Sequence, residues 1–160
     1  MEFIHQSKDK DLPKMQSIQN AYNLLNRIFE FGGSEIAFRE NVGLLAYSPL
    51  AQGYLTGKYQ NGNLPKGSRK ELFDRLQRYE GVGSEEAIES YLNIAKKYNV
   101  DPSQLANQFV TTRPFVTSNI IGATSMEQLK LAVTSIEVNL TEEIENDIEK
   151  AFQKHGNVAS

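Results

Sequence analysis

VGLLAYSP (residues 42–49) is an apolar run closed by a proline. It is too short for a typical helix, and its lack of alternation predicts a strand buried on both faces, as in a parallel sheet. On its N-terminal side, SEIAFRE (34–40) predicts a short helix with Ser34 as its cap. Before that, KMQSIQN (14–20) alternates weakly and predicts another short strand, while Tyr22, Leu24, Leu25, Ile28 and Phe29 follow at helical or turn spacing. Residues 1–11 read as the tail of a helix that Pro13 stops. On the C-terminal side lies a long connection, residues 50–83, rich in Gly, Asn and Lys, with a short helix expected around residues 72–79. A connection of that length inside a compact domain is uncommon and often functional. Ser84 opens a clear helix, with Glu85 and Glu86 in its first turn and Lys96 and Lys97 in its last, matching the helix dipole. Asp101-Pro102-Ser103-Gln104 is a second start signal, and that helix runs to about Arg113 before Pro114. SNIIGA (118–123) predicts a third strand, followed by helices from Ser125 to about Ser135 and from Thr141 to near Gly156. Strands separated by helices pair in parallel, so the class is α/β and the 160 residues form a single domain.

Composition narrows the chemistry. There are no cysteines, which excludes disulfides, thiolate catalysis and thiolate metal sites. The two histidines, His5 and His155, lie near opposite ends, so no metal site is expected. A net charge of −3 offers no global field for nucleic acid or an anionic membrane. No apolar run approaches the roughly 20 residues of a membrane span, and residues 1–12 lack a signal peptide's apolar core. A soluble cytoplasmic protein is the expectation.

Ligands of parallel α/β folds bind at the C-terminal ends of the strands. Three segments fall there: Gln19-Asn20, Tyr47-Ser48-Pro49-Leu50 and Gly122-Ala123-Thr124-Ser125. Gly122 allows a tight turn or a close approach. Thr124 and Ser125 open a helix whose free N–H groups attract phosphate. The same residues also fit a capping box, Thr124 with Glu127 or Ser125 with Gln128, and the two readings are compatible. Tyr47 has the shape to stack on a flat ring or to plug the barrel top. Gln19 has the groups to bind an amide or to satisfy a neighbouring backbone group. Lys58 and Arg69 lie in the long loop, where solvated surface charge is the simpler reading. Arg75, Arg78 and His155 are assigned no site role.

Together, IQNAYNLLNR (18–27), LLAYSPLAQGYLTGKY (44–59) and IIGATSMEQLK (120–130) resemble the aldo-keto reductases, in particular the Tas-like bacterial branch related to voltage-gated potassium channel β subunits. The resemblance runs from about Lys10 to Ile148. It implies a (β/α)8 barrel, of which this chain carries the C-terminal portion with strands six to eight, and hydride transfer between NADPH and an aldehyde or ketone. It further implies that Gln19 hydrogen-bonds the nicotinamide carboxamide and that Tyr47 stacks on the nicotinamide ring. Ser48, Pro49, Leu50 and Ala51 would line the pyrophosphate, with Lys58 folded over it and Arg69 near the phosphates. Gly122, Thr124 and Gln128 would hold the 2′-phosphate and adenine end.

Two departures from the family pattern stand out. Leu131 and Ala132 replace a Glu-Asn pair that contacts adenine in relatives. No residue matches the family's proton-donor tyrosine or its Asp, Lys and His partners, so no catalytic residue is assigned. Three parallel strands cannot close a barrel, and their open edges invite pairing with another chain. The chain is therefore expected to be a truncated or split reductase, inactive alone. It would self-associate or be completed by an N-terminal half-barrel, and it would meet a small carbonyl substrate only in a complete barrel. The alternatives are a non-catalytic nucleotide-binding or interaction module, or a remnant without function.

Overall fold

A computed structural model describes residues 1–73 and 77–159. Helix α1 (Glu2–Asp9) leads into strand β1 (Ser17–Ala21), followed by α2 (Gly33–Glu40) and β2 (Gly43–Tyr47). The long connection contains 3-10 turns and one short helix, α3 (Arg69–Leu72). Helices α4 (Ser84–Lys97) and α5 (Pro102–Thr111) precede β3 (Val116–Ile120), and α6 (Met126–Thr134) and α7 (Glu142–His155) follow it. The strands form one parallel sheet in the order β1-β2-β3. This is an α/β arrangement, as the alternation of strands and helices predicts, and part of a barrel, as the family resemblance implies.

Each helix start has a local cause. Asp101 accepts the backbone N–H groups of Ser103 and Gln104 at 2.8 and 3.2 Å, with Pro102 at the first helical position, as expected. Thr141 caps α7 by accepting the Ile144 N–H. Helix α2 departs from expectation. Its cap is Gly32, at φ 104°, and Ser34 sits inside the first turn, where its hydroxyl donates to the Glu30 carbonyl at 3.0 Å. A left-handed turn entering the helix selects glycine, which the search for a hydroxyl cap overlooked.

The strands also differ from their predicted bounds. β1 begins at Ser17 and not at Lys14, so Gln19 lies in mid-strand, paired with Leu45, and not beyond the strand's end. β3 covers Val116–Ile120, which leaves Gly122 and Ala123 outside it. β2 is buried on one face only: Leu44 and Ala46 are fully buried, whereas Leu45 and Tyr47 are partly exposed. The apolar run encodes a strand with one face under helices and the other toward the barrel interior, and only the first is covered by the described residues. Where β2 meets β3 the register slips between Leu44 and Leu45, leaving Thr117 without a partner in the ladder and its side chain against Gly43. A Cβ at Gly43 would lie 1.8 Å from the Thr117 hydroxyl oxygen, which requires glycine there. The helix expected at residues 72–79 is confined to α3 and a 3-10 turn at Gln77–Tyr79; Arg75 and the middle of that segment lie outside the described residues.

The core lies between the sheet and α4, α5 and α7. It gathers Tyr22, Leu24, Leu25, Leu44, Tyr91, Leu105, Phe109, Val110 and Ile148. Arg27 crosses this layer, only 8% exposed. Its guanidinium grips both carboxylate oxygens of Glu30 at 2.8 Å, reaches Glu149 at 3.0 Å, and lies 4.0 Å above the Phe152 ring. The Tyr22 hydroxyl donates to Glu30 at 2.5 Å. Burial, then the Glu30 carboxylate, pushes the Tyr22 phenol far above its ordinary range. These contacts fasten α7 to the loop after β1, and the Ala159 N–H closes the seam on the Leu25 carbonyl at 3.2 Å.

Candidate functional site

Because the strands are parallel, their C-terminal ends lie side by side, about 5 Å apart from one strand to the next. Tyr47 ends β2, half-buried, and pairs with Ala21 on one side and Ile120 on the other. Gln19 and Leu45, which pair across β1 and β2, lie on the same open face two residues earlier. Gln19 is exposed, so its amide is not spent on the interior.

Beyond Tyr47 the chain makes a run of left-handed residues. Ser48, Ala51, Gln52 and Gly53 have φ of 58°, 48°, 57° and 102°. Such non-glycine conformations are uncommon and costly, so the surrounding structure must hold them. The Ala51 N–H donates to the Ser48 carbonyl and the Gly53 N–H to the Leu50 carbonyl, at 2.9 and 2.8 Å. Ala51 is fully buried, Pro49 and Leu50 less so. Lys58 folds back on this loop. A Cβ at Gly53 would lie 2.7 Å from Lys58 Cε and 2.9 Å from Nζ, so the missing side chain makes room for the ammonium.

Other described residues of the long connection are anchored. Tyr54 and Tyr59 pack with ring centroids 4.9 Å apart, and Lys70 bonds Glu80 at 2.7 Å. The Tyr54 hydroxyl donates to the same carboxylate. Burial and that carboxylate push the Tyr54 phenol up to about 12. Arg69, the first residue of α3, is exposed and is not drawn into this cluster.

After β3, Gly122 has open space around it. Ser125 caps α6 by accepting the Gln128 N–H at 3.2 Å. The Gln128 side-chain oxygen accepts from the Thr124 N–H at 2.9 Å and the Thr124 hydroxyl at 3.1 Å. Of the two capping boxes that the sequence allows, the structure uses Ser125 with Gln128, although Gln128 reaches one residue further back than usual. The Met126 and Glu127 N–H groups have no partner among the described residues, as the first turn of a helix dictates. Leu131 and Ala132 lie one turn along α6 and present hydrocarbon where an amide-rich site would present donors.

Sequence reasoning missed two participants. Arg78, to which the sequence assigns no site role, points its guanidinium at the Tyr47 hydroxyl across 3.5 Å. Asn23, hidden in YNLLNR, is fully buried and bonds both the Ser48 carbonyl and the Tyr79 hydroxyl. Its signal was an amide inside an otherwise apolar segment. Among the described residues, no cluster of acidic, histidine or cysteine side chains has metal-site geometry, and no helix is long and apolar enough to cross a membrane.

The aldo/keto reductase family matches residues 1–152. Protein tas of Escherichia coli (strain K12) is 45% identical over 153 residues, which cover 96% of this chain and 44% of that protein. L-glyceraldehyde 3-phosphate reductase of the same organism is 36% identical over 131 residues, covering 77% of this chain and 37% of that one. A putative voltage-gated potassium channel subunit beta of Schizosaccharomyces pombe is 36% identical over 115 residues, 68% of this chain and 33% of that one. The chain thus spans less than half the length of these relatives. Among solved structures, a glycerol dehydrogenase from Gluconobacter oxydans superposes with a TM-score of 0.71 at 21% identity, covering 97% of this chain and 48% of that one, a likeness of fold.

Proposed function

The chain belongs to the aldo/keto reductase family, and from that premise we propose that it carries the NADP-binding portion of a reductase acting on an aldehyde or ketone. The observation that carries this reading is the shared edge formed by Tyr47, the left-handed loop after it and the open turn before α6. The residues fit the dinucleotide in three places. The Gly53 gap seats Lys58 against the loop, where its charge would meet the pyrophosphate beside Ser48, Pro49, Leu50 and Ala51. The half-exposed Tyr47 ring and the Gln19 amide share a face suited to a flat ring bearing a carboxamide. The free N–H groups of Met126 and Glu127, with Thr124 and Gln128 beside them, suit a phosphate at the positive end of α6. Arg69 would approach the phosphates from α3. At the adenine end the fit is poorer, because Leu131 and Ala132 offer packing without hydrogen bonds. When bound, the dinucleotide supplies the hydride.

Carbonyl reduction also requires a proton donor, and none of these residues matches the one that the family resemblance implies. That group would come from sequence outside these 160 residues, in a longer form of the polypeptide or in a partner half-barrel pairing with the free edges of β1 and β3. A cytoplasmic setting is part of this proposal.

The test is cofactor choice. Fluorescence titration should give tighter binding of NADPH than of NADH. Replacing both Thr124 and Ser125 by alanine should weaken NADPH by roughly tenfold or more, since a charge-assisted bond contributes on the order of 1.5–3 kcal/mol. NADH, with a hydroxyl in place of the 2′-phosphate, should change little. Equal losses for both cofactors would remove the phosphate from α6 and sink the assignment.

A further inference from the structure

Asn23 is fully buried, and its side chain has a partner on every side. Oδ1 accepts the backbone N–H groups of Leu25 and Asn26, both at 3.0 Å, which holds the turn after β1. Nδ2 donates to the Ser48 carbonyl at 2.9 Å and to the Tyr79 hydroxyl at 3.0 Å. One amide therefore joins three segments far apart in sequence: the turn after β1, the loop after β2 and the closing end of the long connection. Each needs external support. Ser48 holds a left-handed conformation that is costly without glycine, and its carbonyl also accepts the Ala51 N–H. The long connection spans residues 50–83, and its far end is fixed where Tyr79 is buried, 1% exposed, with its ring 6.2 Å from that of Tyr54. A buried amide with both ends satisfied fixes geometry, because any displacement leaves a polar group unpaired.

We propose that Asn23 is a positioning residue for the cofactor loops: its amide sets the Ser48–Ala51 turn and clasps the long connection, with Lys58, in place over it. The proposal rests on reading that turn as a cofactor segment, and it adds a residue that touches no cofactor atom.

The test uses the full chain. Tyr79→Phe removes the hydroxyl that Nδ2 meets and keeps the ring that fills the core, so the thermal midpoint should stay within about 2 °C of the parent, as a fraction of one hydrogen bond's worth allows. Hydrogen exchange of amides in residues 50–73 should accelerate by roughly fivefold while those of α4 and α5 hold, and the NADPH dissociation constant should rise by a similar factor. Asn23→Ala should do more of both, at a lower midpoint. Unchanged loop exchange in Tyr79→Phe overturns the clasp, and a loosened loop with unchanged NADPH affinity overturns its positioning role. If the parent chain binds no NADPH, the cofactor reading fails by itself, and the exchange data alone then decide whether the clasp exists.

Discussion

On one face of the sheet, Leu44 and Ala46 are fully buried in a core shared with Tyr22, Leu105, Phe109 and Val110. On the other, Gln19 and Ser118 meet solvent, Ile120 is 38% exposed and Tyr47 is half-buried. The same three strands thus carry two kinds of surface. The first is a packed interior over β2, locked by Arg27 and its carboxylates, although Ile18 on the same face of β1 is 41% exposed. The second is an unfinished one, whose residues suit contact with a ring, a phosphate or further strands. Stability in this molecule is concentrated on the helix-covered side, and the recognition proposed above falls on the side left open.

The largest effect expected from breaking that division is at the lock. Arg27→Ala leaves the part-buried Glu30 carboxylate and the Tyr22 hydroxyl without their cation, and it uncovers the Phe152 ring. Removing one partner of a buried pair costs about 3 kcal/mol or more. Urea denaturation followed by circular dichroism should record a loss of that size, with the slope unchanged. A loss under about 1 kcal/mol would class the lock with ordinary surface pairs and dissolve the contrast.

The opposite result is expected across the sheet. Tyr47→Ala should shift unfolding by less than about 1 kcal/mol, because a half-exposed ring on an uncovered face has little packing to lose. NADPH binding should weaken by roughly tenfold, the value of one aromatic stack. If stability falls by several kcal/mol and affinity does not, Tyr47 is a plug in an interior, and the open face is less open than its exposure indicates.

How much of this was readable beforehand follows the same line. The helix starts at Asp101 and Thr141 were legible because a cap is a local interaction of a few residues. The order of strands and helices was legible because each element carries its own period. VGLLAYSP misled in one respect. An apolar run reports that a strand was built to be covered twice, whereas the described residues cover one face of β2. Gln19 was placed one step too late because β1 has weak alternation and an exposed edge, so nothing local marks its last residue. The loop residues Ser48, Lys58, Gly122 and Gln128 came from family likeness, and the geometry that makes them plausible, the left-handed run and the Gly53 gap, depends on φ angles that composition does not encode. Asn23 and Arg78 were missed for a related reason. Their roles rest on partners 25 to 56 residues away.

The smallest expected effect tests the outermost contact of the packed layer. Asp147 on α7 accepts Lys97 Nζ at 2.6 Å and the Tyr98 hydroxyl at 2.9 Å, both from the end of α4, and Lys150 Nζ at 3.2 Å from its own helix. The bond from Lys97, then those from Tyr98 and Lys150, holds the Asp147 carboxyl well below the usual carboxylate range, while the same ion pair pushes Lys97 up to about 12. A carboxyl depressed in the folded state stabilises it above the unfolded value, near 3.9, and that contribution is lost as pH falls from there through the folded value. The lysine behaves in the opposite sense: its contribution is complete below its unfolded value near 10.4 and is lost as pH rises through about 12. Between roughly pH 4 and 10 the pair is therefore at full strength. Asp147→Asn should lower the melting temperature at pH 7 by only about 1–3 °C, the scale of an exposed pair. The gap between parent and variant should narrow steadily as pH falls from 4 to 2, and NADPH affinity at pH 7 should not change, since this contact lies on the helical layer away from the open face. A gap that does not narrow between pH 4 and pH 2 would mean that Asp147 acts through packing and not through charge. A loss of cofactor binding would mean that the helical layer and the open face are coupled, contrary to the division drawn from their burial.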